Sequence, residues 1–347
     1  MKKAVSILFF ILVCLVIISC ASVQEVSVDD ISDISVEDVF SEISFEISEE
    51  SAEENESDEV SDFEEQVSEE ETVAPEKTQQ ALLALSDAFT AEHVFVYDLN
   101  NESFLFEKGT DVNIIPASVT KLLTALYALE TAPVDMTVTP SDELFLLNPY
   151  SSVAGLKFEH TFTLEQLIAA MLLPSGNDAA YTVAAATARY KENDPYLNGK
   201  EALDSFISAM NEYARGIGCT GTVFTVPDGL AGDEHYTTAH DLVIIAKHAL
   251  ENPVIAKYMA MPEYSFTSVS GHSFTWKNTN AHLNSASPYY SACVTGMKTG
   301  TLGKFSVMVS ADISGNTYII GIFDAPSHDA RYIDSYKIIT ALTEATQ

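Results

Sequence analysis

Positive charge is what this chain has least of. Only 17 Lys and Arg stand against 51 Asp and Glu in 347 residues, a formal charge of −34. Nucleic-acid binding requires a basic face, so nucleic acid is excluded as a partner. The deficit is uneven. Residues 21–76 hold 22 Asp and Glu and no Lys or Arg. Beyond them, residues 77–347 carry 15 bases against 29 acids, a net charge of −14. Metal-ligand patterns are missing too. His235, His240 and His248 have no acidic or cysteine companions at ligand spacing, so neither a metal nor a cofactor is expected. The longest apolar run, Ala4–Ile18, falls short of the roughly 20 residues that a membrane-spanning helix needs.

That run follows Lys2 and Lys3, which makes residues 1–20 a signal peptide. Its end, Ile17-Ile18-Ser19-Cys20, looks like the lipobox of bacterial lipoproteins, in which the cysteine receives lipid. An ordinary signal peptide with a chance cysteine would read the same way. Lipidated Cys20 would carry more than one acyl chain, which stable anchoring requires. Residues 21–80 then read as an acidic tether, because high net charge with little packable surface keeps a chain unfolded and extended. At about 3.4 Å per residue its reach is on the order of 190 Å. Residues 81–347 are long enough to bury a substantial core and form the globular domain. Of four cysteines, Cys14 lies in the signal segment and Cys20 at its end; Cys219 and Cys293 are expected as two unpaired thiols.

Three short elements carry the chemistry. Ser118-Val-Thr-Lys121 opens an apolar helix running to Glu130, preceded by Pro116 where proline is tolerated. Residues three apart are helix-surface neighbours, so Lys121 can reach Ser118. A serine hydroxyl needs an adjacent base, and lysine becomes one when burial or a second cation lowers its pKa. Lys298 could be that cation. The pair alone is also what a surface lysine near a helix-capping serine would give.

Ser175-Gly176-Asn177 lies between a capping box at Thr163-Leu-Glu-Gln166 and an Ala-rich helix running to about Tyr190, which Asp178 should cap. Such a loop can relay a proton, and equally can be a plain turn. Lys298-Thr299-Gly300 closes a strand that begins near Ala292, followed by Phe305–Val309 and, past a turn, Tyr318–Phe323. Gly300 removes a side chain where another backbone must come close, as when a peptide pairs along an edge strand.

In this order the three elements match the signature of serine enzymes acylated by D-alanyl peptides or β-lactams. The sequence resembles the D-alanyl-D-alanine carboxypeptidases, the low-molecular-mass penicillin-binding proteins, from about Ala91 to Thr343. Val96–Asn100 with Phe104–Glu107 resemble the family's opening hairpin. Asp228-Gly-Leu230, Thr237–Asp241, Trp276–Asn280 and Gly296–Gly300 resemble further segments. The resemblance implies an α/β (α+β) fold of the β-lactamase/transpeptidase type. A five-stranded, mostly antiparallel sheet would be flanked by helices, with an all-helical lobe beside it and the site at the junction.

It also implies roles. Ser118 would be the acylated nucleophile, Lys121 its general base, Ser175 the proton relay and Asn177 a positioning group. Lys298, Thr299 and Gly300 would bind the substrate carboxylate, Thr301 would give an oxyanion N–H, and Arg331 would help hold the carboxylate. Peptidoglycan stem peptides would be substrates and β-lactams covalent inhibitors, at the outer face of a bacterial membrane reached through the N-terminal lipid.

Two runs depart from the family pattern: Thr301-Leu-Gly-Lys-Phe-Ser306 after the glycine, and Ser151-Ser-Val-Ala-Gly-Leu-Lys157 before the second motif. The 47 residues after Gly300 have room for a hairpin and one helix, not a second domain. A D,D-endopeptidase, a β-lactamase using Glu234, or a silent penicillin-binding sensor would share these motifs.

Overall fold

The computed structural model describes residues 69–346. The signal segment, Cys20 and most of the expected tether lie outside them. The first element, α1 (Glu69–Ala84), begins inside the stretch expected to be tether. The reason is local: Thr78 and Leu82 are buried, and Leu82 joins an apolar cluster shared with the sheet and the last helix. An acidic segment with that much packable surface does not stay a tether to residue 80.

The expected hairpin follows as β1 (His93–Asp98) and β2 (Ser103–Lys108). A 3-10 turn at Ala117–Thr120 leads into α2 (Lys121–Thr131). Then come β3 (Thr137–Val138), β4 (Phe162–Thr163), α3 (Leu164–Leu172), α4 (Asn177–Glu192) and α5 (Gly199–Gly216). Helices α6 (Ala239–Glu251) and α7 (Pro253–Ala260) precede the hairpin β5 (Glu263–Thr267) and β6 (Ser273–Lys277). The chain closes with β7 (Val294–Leu302), β8 (Lys304–Ile313), β9 (Asn316–Ala325) and α8 (His328–Ala345). After Gly300, then, the described residues form a hairpin and one helix.

The main sheet has the order β2-β1-β9-β8-β7, and every neighbouring pair is antiparallel. Successive strand residues face opposite sides. Val94 and Val96 therefore join Val307, Val309, Ile320 and Ile322 under Tyr332, Ile338 and Leu342 of α8. Phe95, Met308, Ile319 and Phe323 face the other way, into the core shared with the helices. With both faces covered, β8 reads as a continuous apolar run rather than an alternating one.

The helical lobe is assembled around α2, in which Leu122, Leu123, Ala125, Leu126 and Ala128 are all buried. A helix apolar on every side belongs in a core. β7 lies at one end of the sheet order, so one of its edges is unpaired within the sheet. Along this strand the sheet meets the start of α2.

Candidate active site

The first motif folds differently from an α-helical start. Ala117 takes a left-handed backbone, φ 47°, and Ser118 sits in the 3-10 turn ahead of α2. In a 3-10 turn, residues three apart eclipse one another. Lys121 Nζ accordingly donates to Ser118 Oγ at 2.8 Å. It also donates to Asn177 Oδ1 at 2.8 Å and to the Asp228 carbonyl at 2.8 Å. Three acceptors match the three protons of an ammonium. In the neutral form, the amine can receive the Ser118 proton along the same short contact.

Packing explains the glycines nearby. Gly229 has φ +81°, and a Cβ there would stand 1.8 Å from the Ala117 carbonyl oxygen. At Gly300 a Cβ would lie 2.9 Å from the Pro116 oxygen and 3.1 Å from Ala117 Cβ. The backbone that requires Gly300 is therefore the protein's own serine turn, which presses the nucleophile against β7.

The second motif begins α4 rather than preceding it. Asn177 is the first helical residue and Gly176 the N-cap, with no capping side chain. Asp178 is not the cap expected of it. Its carboxylate instead accepts from the backbone N–H groups of Ala154, Gly155 and Leu156 at 2.8–2.9 Å. The divergent run 151–157 is thereby strapped onto the motif. Ser152 Oγ donates to the Ser175 carbonyl at 2.8 Å, Asn177 N to the Ser152 carbonyl at 2.8 Å, and Asn177 Nδ2 to Ser151 Oγ at 3.1 Å. Trp276 of β6 ties the strap down through Ala154 O at 3.0 Å. The capping box at Thr163 and Gln166 forms as expected.

The third motif supplies a wall and a buried cation. Lys298 Nζ donates to Ser175 Oγ at 2.8 Å and to the Thr299 carbonyl at 3.0 Å, and its residue is 1% exposed. It lies behind Ser175 and is not among the residues that line the cleft. The wall is made by Thr299, Gly300 and Thr301, with Thr299 Oγ1 held 2.6 Å from Thr279 Oγ1. Arg331, on α8, is buried and not a surface arginine. Its Nη1 donates to the carbonyls of Gly300 at 3.0 Å and Ser306 at 3.1 Å, and its guanidinium stacks 4.8 Å over the Tyr332 ring. The divergent run after Gly300 makes the tight β7–β8 turn, with Gly303 at φ +68°.

These groups line a cleft of about 300 Å³ that also includes Tyr150, Ser152, Leu230 and Thr279. Its electrostatics follow from burial. Lys121 is fully buried, and desolvation brings its pKa down to about 8 against the attraction of Asp228 and Asp178. Desolvation also holds Lys298 well below the ordinary lysine range, with repulsion from Lys121 and Arg331 adding to it. Burial raises the Asp228 carboxyl, and the Lys121 charge pulls it back. The arrangement offers a hydroxyl with an amine of lowered pKa beside it, and a second amine behind a second serine.

The other sequence candidates fall elsewhere. Glu234 is exposed and does not line the cleft. His235 is structural: Thr225 N donates to its Nδ1 at 2.9 Å, its Nε2 meets Thr120 Oγ1 at 2.8 Å, and burial depresses its pKa to about 3. Cys219 and Cys293 are both free, the first buried and the second half-buried. The sequence reading missed the Asp228 carbonyl, Ser152 and Thr279. All three contribute backbone or hydroxyl contacts from irregular segments, which leave no periodic trace.

The family model for D-alanyl-D-alanine carboxypeptidases matches residues 76–327. The D-alanyl-D-alanine carboxypeptidase of Streptomyces sp. (strain K15) is 30% identical over 259 residues, covering 70% of this chain and 84% of that protein. D-alanyl-D-alanine carboxypeptidase DacB2 of Mycobacterium tuberculosis is 34% identical over 183 residues, covering 52% of this chain and 58% of that one. The solved structure of the Streptomyces K15 DD-transpeptidase is similar with a TM-score of 0.65 at 27% identity, covering 74% of this chain and 98% of that chain.

Proposed function

The chain belongs to the D-alanyl-D-alanine carboxypeptidase family, and we propose that its reaction runs through Ser118, with Lys121 as the base. The protein is a serine-type carboxypeptidase that removes the terminal D-alanine from peptidoglycan stem peptides through an acyl-enzyme, and it binds β-lactams. Its family acts on the cell wall, outside the cytoplasm. One observation carries the assignment of residues: the 2.8 Å contact between Ser118 Oγ and a Lys121 amine that burial has brought to about pKa 8.

Lys121 takes the hydroxyl proton as Ser118 Oγ attacks the penultimate D-alanine carbonyl. The developing oxyanion is received by the backbone N–H groups of Ser118 and Thr301. Ser175, with Lys298 behind it, carries the proton to the departing D-alanine amine. Water then replaces the amine and releases the shortened stem. Thr299, Thr301 and Arg331 border the end of the cleft suited to the terminal carboxylate. Lys298 contributes there through Ser175 and through its field.

The N-terminal reading remains a proposal on sequence grounds. Cys20 carries lipid, and the acidic segment after it holds the domain away from the membrane. No described helix is long and apolar enough to cross a membrane. Cys20→Ala should move the protein out of the membrane fraction or leave it uncleaved. Unchanged partitioning would remove the anchor.

For the activity, residues 21–347 are incubated with a soluble pentapeptide ending in D-Ala-D-Ala. Released D-alanine from this protein, and none from Ser118→Ala, is the expected result. Release that persists in the alanine variant would mean that another nucleophile acts.

A further inference from the structure

Far from the cleft, a groove of about 1170 Å³ opens at the other end of the helical lobe. Its walls are β3, the end of α4 and the turn into α5, and its lining includes Thr137, Tyr190, Asn193, Tyr196 and Asn198. It is an open groove and not an enclosed pocket, a shape that suits a stretch of polymer.

The walls are fixed before anything binds. Arg189 donates Nε to the Leu197 carbonyl, Nη1 to Glu143 and Nη2 to Asp142, each at 2.9 Å. Asp142 Oδ2 accepts from Gly199 N at 2.8 Å, and that bond is the leading cause of its lowered pKa. The charge of Arg189 is therefore spent inside the wall and is not offered to an anion. The turn carrying Tyr196 is tied through Asp194 N to the Arg189 carbonyl at 3.0 Å and Tyr196 N to Asp194 Oδ1 at 2.9 Å.

On this fixed frame two rings face water. Tyr196 is 93% exposed and Tyr190 50% exposed, and neither side chain has a hydrogen-bond partner. Single exposed tyrosines need no explanation. Two of them beside one groove, with threonine and asparagine between and Lys191 and Asp142 of opposite charge at its rim, form a surface of apolar ring faces and hydrogen-bonding edges with no net charge of its own. That is the complement of a pyranose ring, which has apolar C–H faces and a hydroxyl and amide rim. The surrounding acidity of residues 77–347, net −14, disfavours polyanions.

We propose that this groove binds the uncharged N-acetylated sugar chain of peptidoglycan. The proposal rests on the reading of peptidoglycan as substrate. Thirteen residues of α4 separate Asn177 from Tyr190, a rise of about 20 Å at roughly 1.5 Å per residue. A five-residue stem spans at most about 18 Å. Cleft and groove thus engage separate parts of the polymer, and the groove acts by raising the effective concentration of stems near Ser118.

The test is co-sedimentation of the penicillin-acylated protein with insoluble chitin, an uncharged N-acetylated sugar polymer that carries no stem peptides, so that the cleft cannot contribute. The unaltered sequence should sediment. Tyr190→Ala with Tyr196→Ala should weaken binding about ten-fold, while the paired Tyr→Phe variant, which keeps the rings, stays within about two-fold. All three should hydrolyse a soluble pentapeptide equally, which checks the fold. Sedimentation of the alanine pair equal to that of the parent would overturn the proposal. So would binding to whole walls but not to chitin. Absence of pentapeptide hydrolysis in the parent would instead strike the catalytic reading and leave sugar binding standing.

Discussion

The helical lobe and the sheet each send one buried lysine to the cleft, and the two lysines end in different places. Lys121, from the start of α2, touches the reacting hydroxyl and spends its remaining protons on Asn177 and the Asp228 carbonyl. Lys298, from β7, touches Ser175 and its own strand. Both are desolvated, so both are pushed toward the neutral form. Of the two, only Lys121 contacts Ser118, and on that contact rests the proposal that it is the base of the first step. The lesson is that burial prepares a lysine for proton transfer, while the partner within 3 Å decides which proton.

The sharpest break is at the nucleophile. Ser118→Ala should abolish covalent labelling by penicillin, seen by intact mass, and lower D-alanine release by roughly 10⁶-fold. Next comes the helical lysine. Lys121→Ala should slow acylation by about 10⁴-fold with the fold retained, since it removes the base and not the hydroxyl. The strand lysine should matter less. Lys298→Ala should reduce kcat/KM by about 10²–10³-fold, the scale of one lost electrostatic contact in a closed site. Equal loss of activity in both variants would erase the distinction between the two lobes.

A smaller effect should come from the strap that joins them. Asp178→Asn keeps one acceptor oxygen for the four backbone N–H groups that the carboxylate serves, those of Ala154, Gly155, Leu156 and Ala179, leaving at least one unsatisfied. Thermal unfolding should show a loss of about 1–3 kcal/mol, with a modest fall in kcat/KM as the Ser152 contacts loosen. Stability equal to that of the parent protein would show that the strap is held elsewhere.

The sheet side was the more legible region. The strands at Phe305–Val309 and Tyr318–Phe323 are legible in their apolar content, and the hairpin at Val96–Asn100 and Phe104–Glu107 in its family resemblance. The helical side showed its capping box and its serine–lysine pair but concealed its details. Asp178 looked like a cap because acidic residues favour that position, yet three backbone donors from an aperiodic segment claimed it. Pro116 suggested a straight α-helical entry, and the close approach of β7 at Gly300 imposed a 3-10 turn instead. The acidic stretch up to residue 80 looked featureless by charge, and Leu82 sufficed to draw its end into the core. Contacts made by backbone carbonyls, such as that of Asp228, have no side-chain signal to read.

The contrast between the lysines is tested most directly by the pH dependence of acylation. In the proposed mechanism the neutral amine is the base, so the rate with penicillin should rise with pH and level off above the pKa of Lys121, with a midpoint near 8. Burial is the main cause of that value, set against the attraction of Asp228 and Asp178. In Lys298→Met the plateau should fall while the midpoint stays near 8. A midpoint that climbed toward the ordinary lysine value of about 10.4 would show that repulsion between the lysines, and not burial, prepares the base.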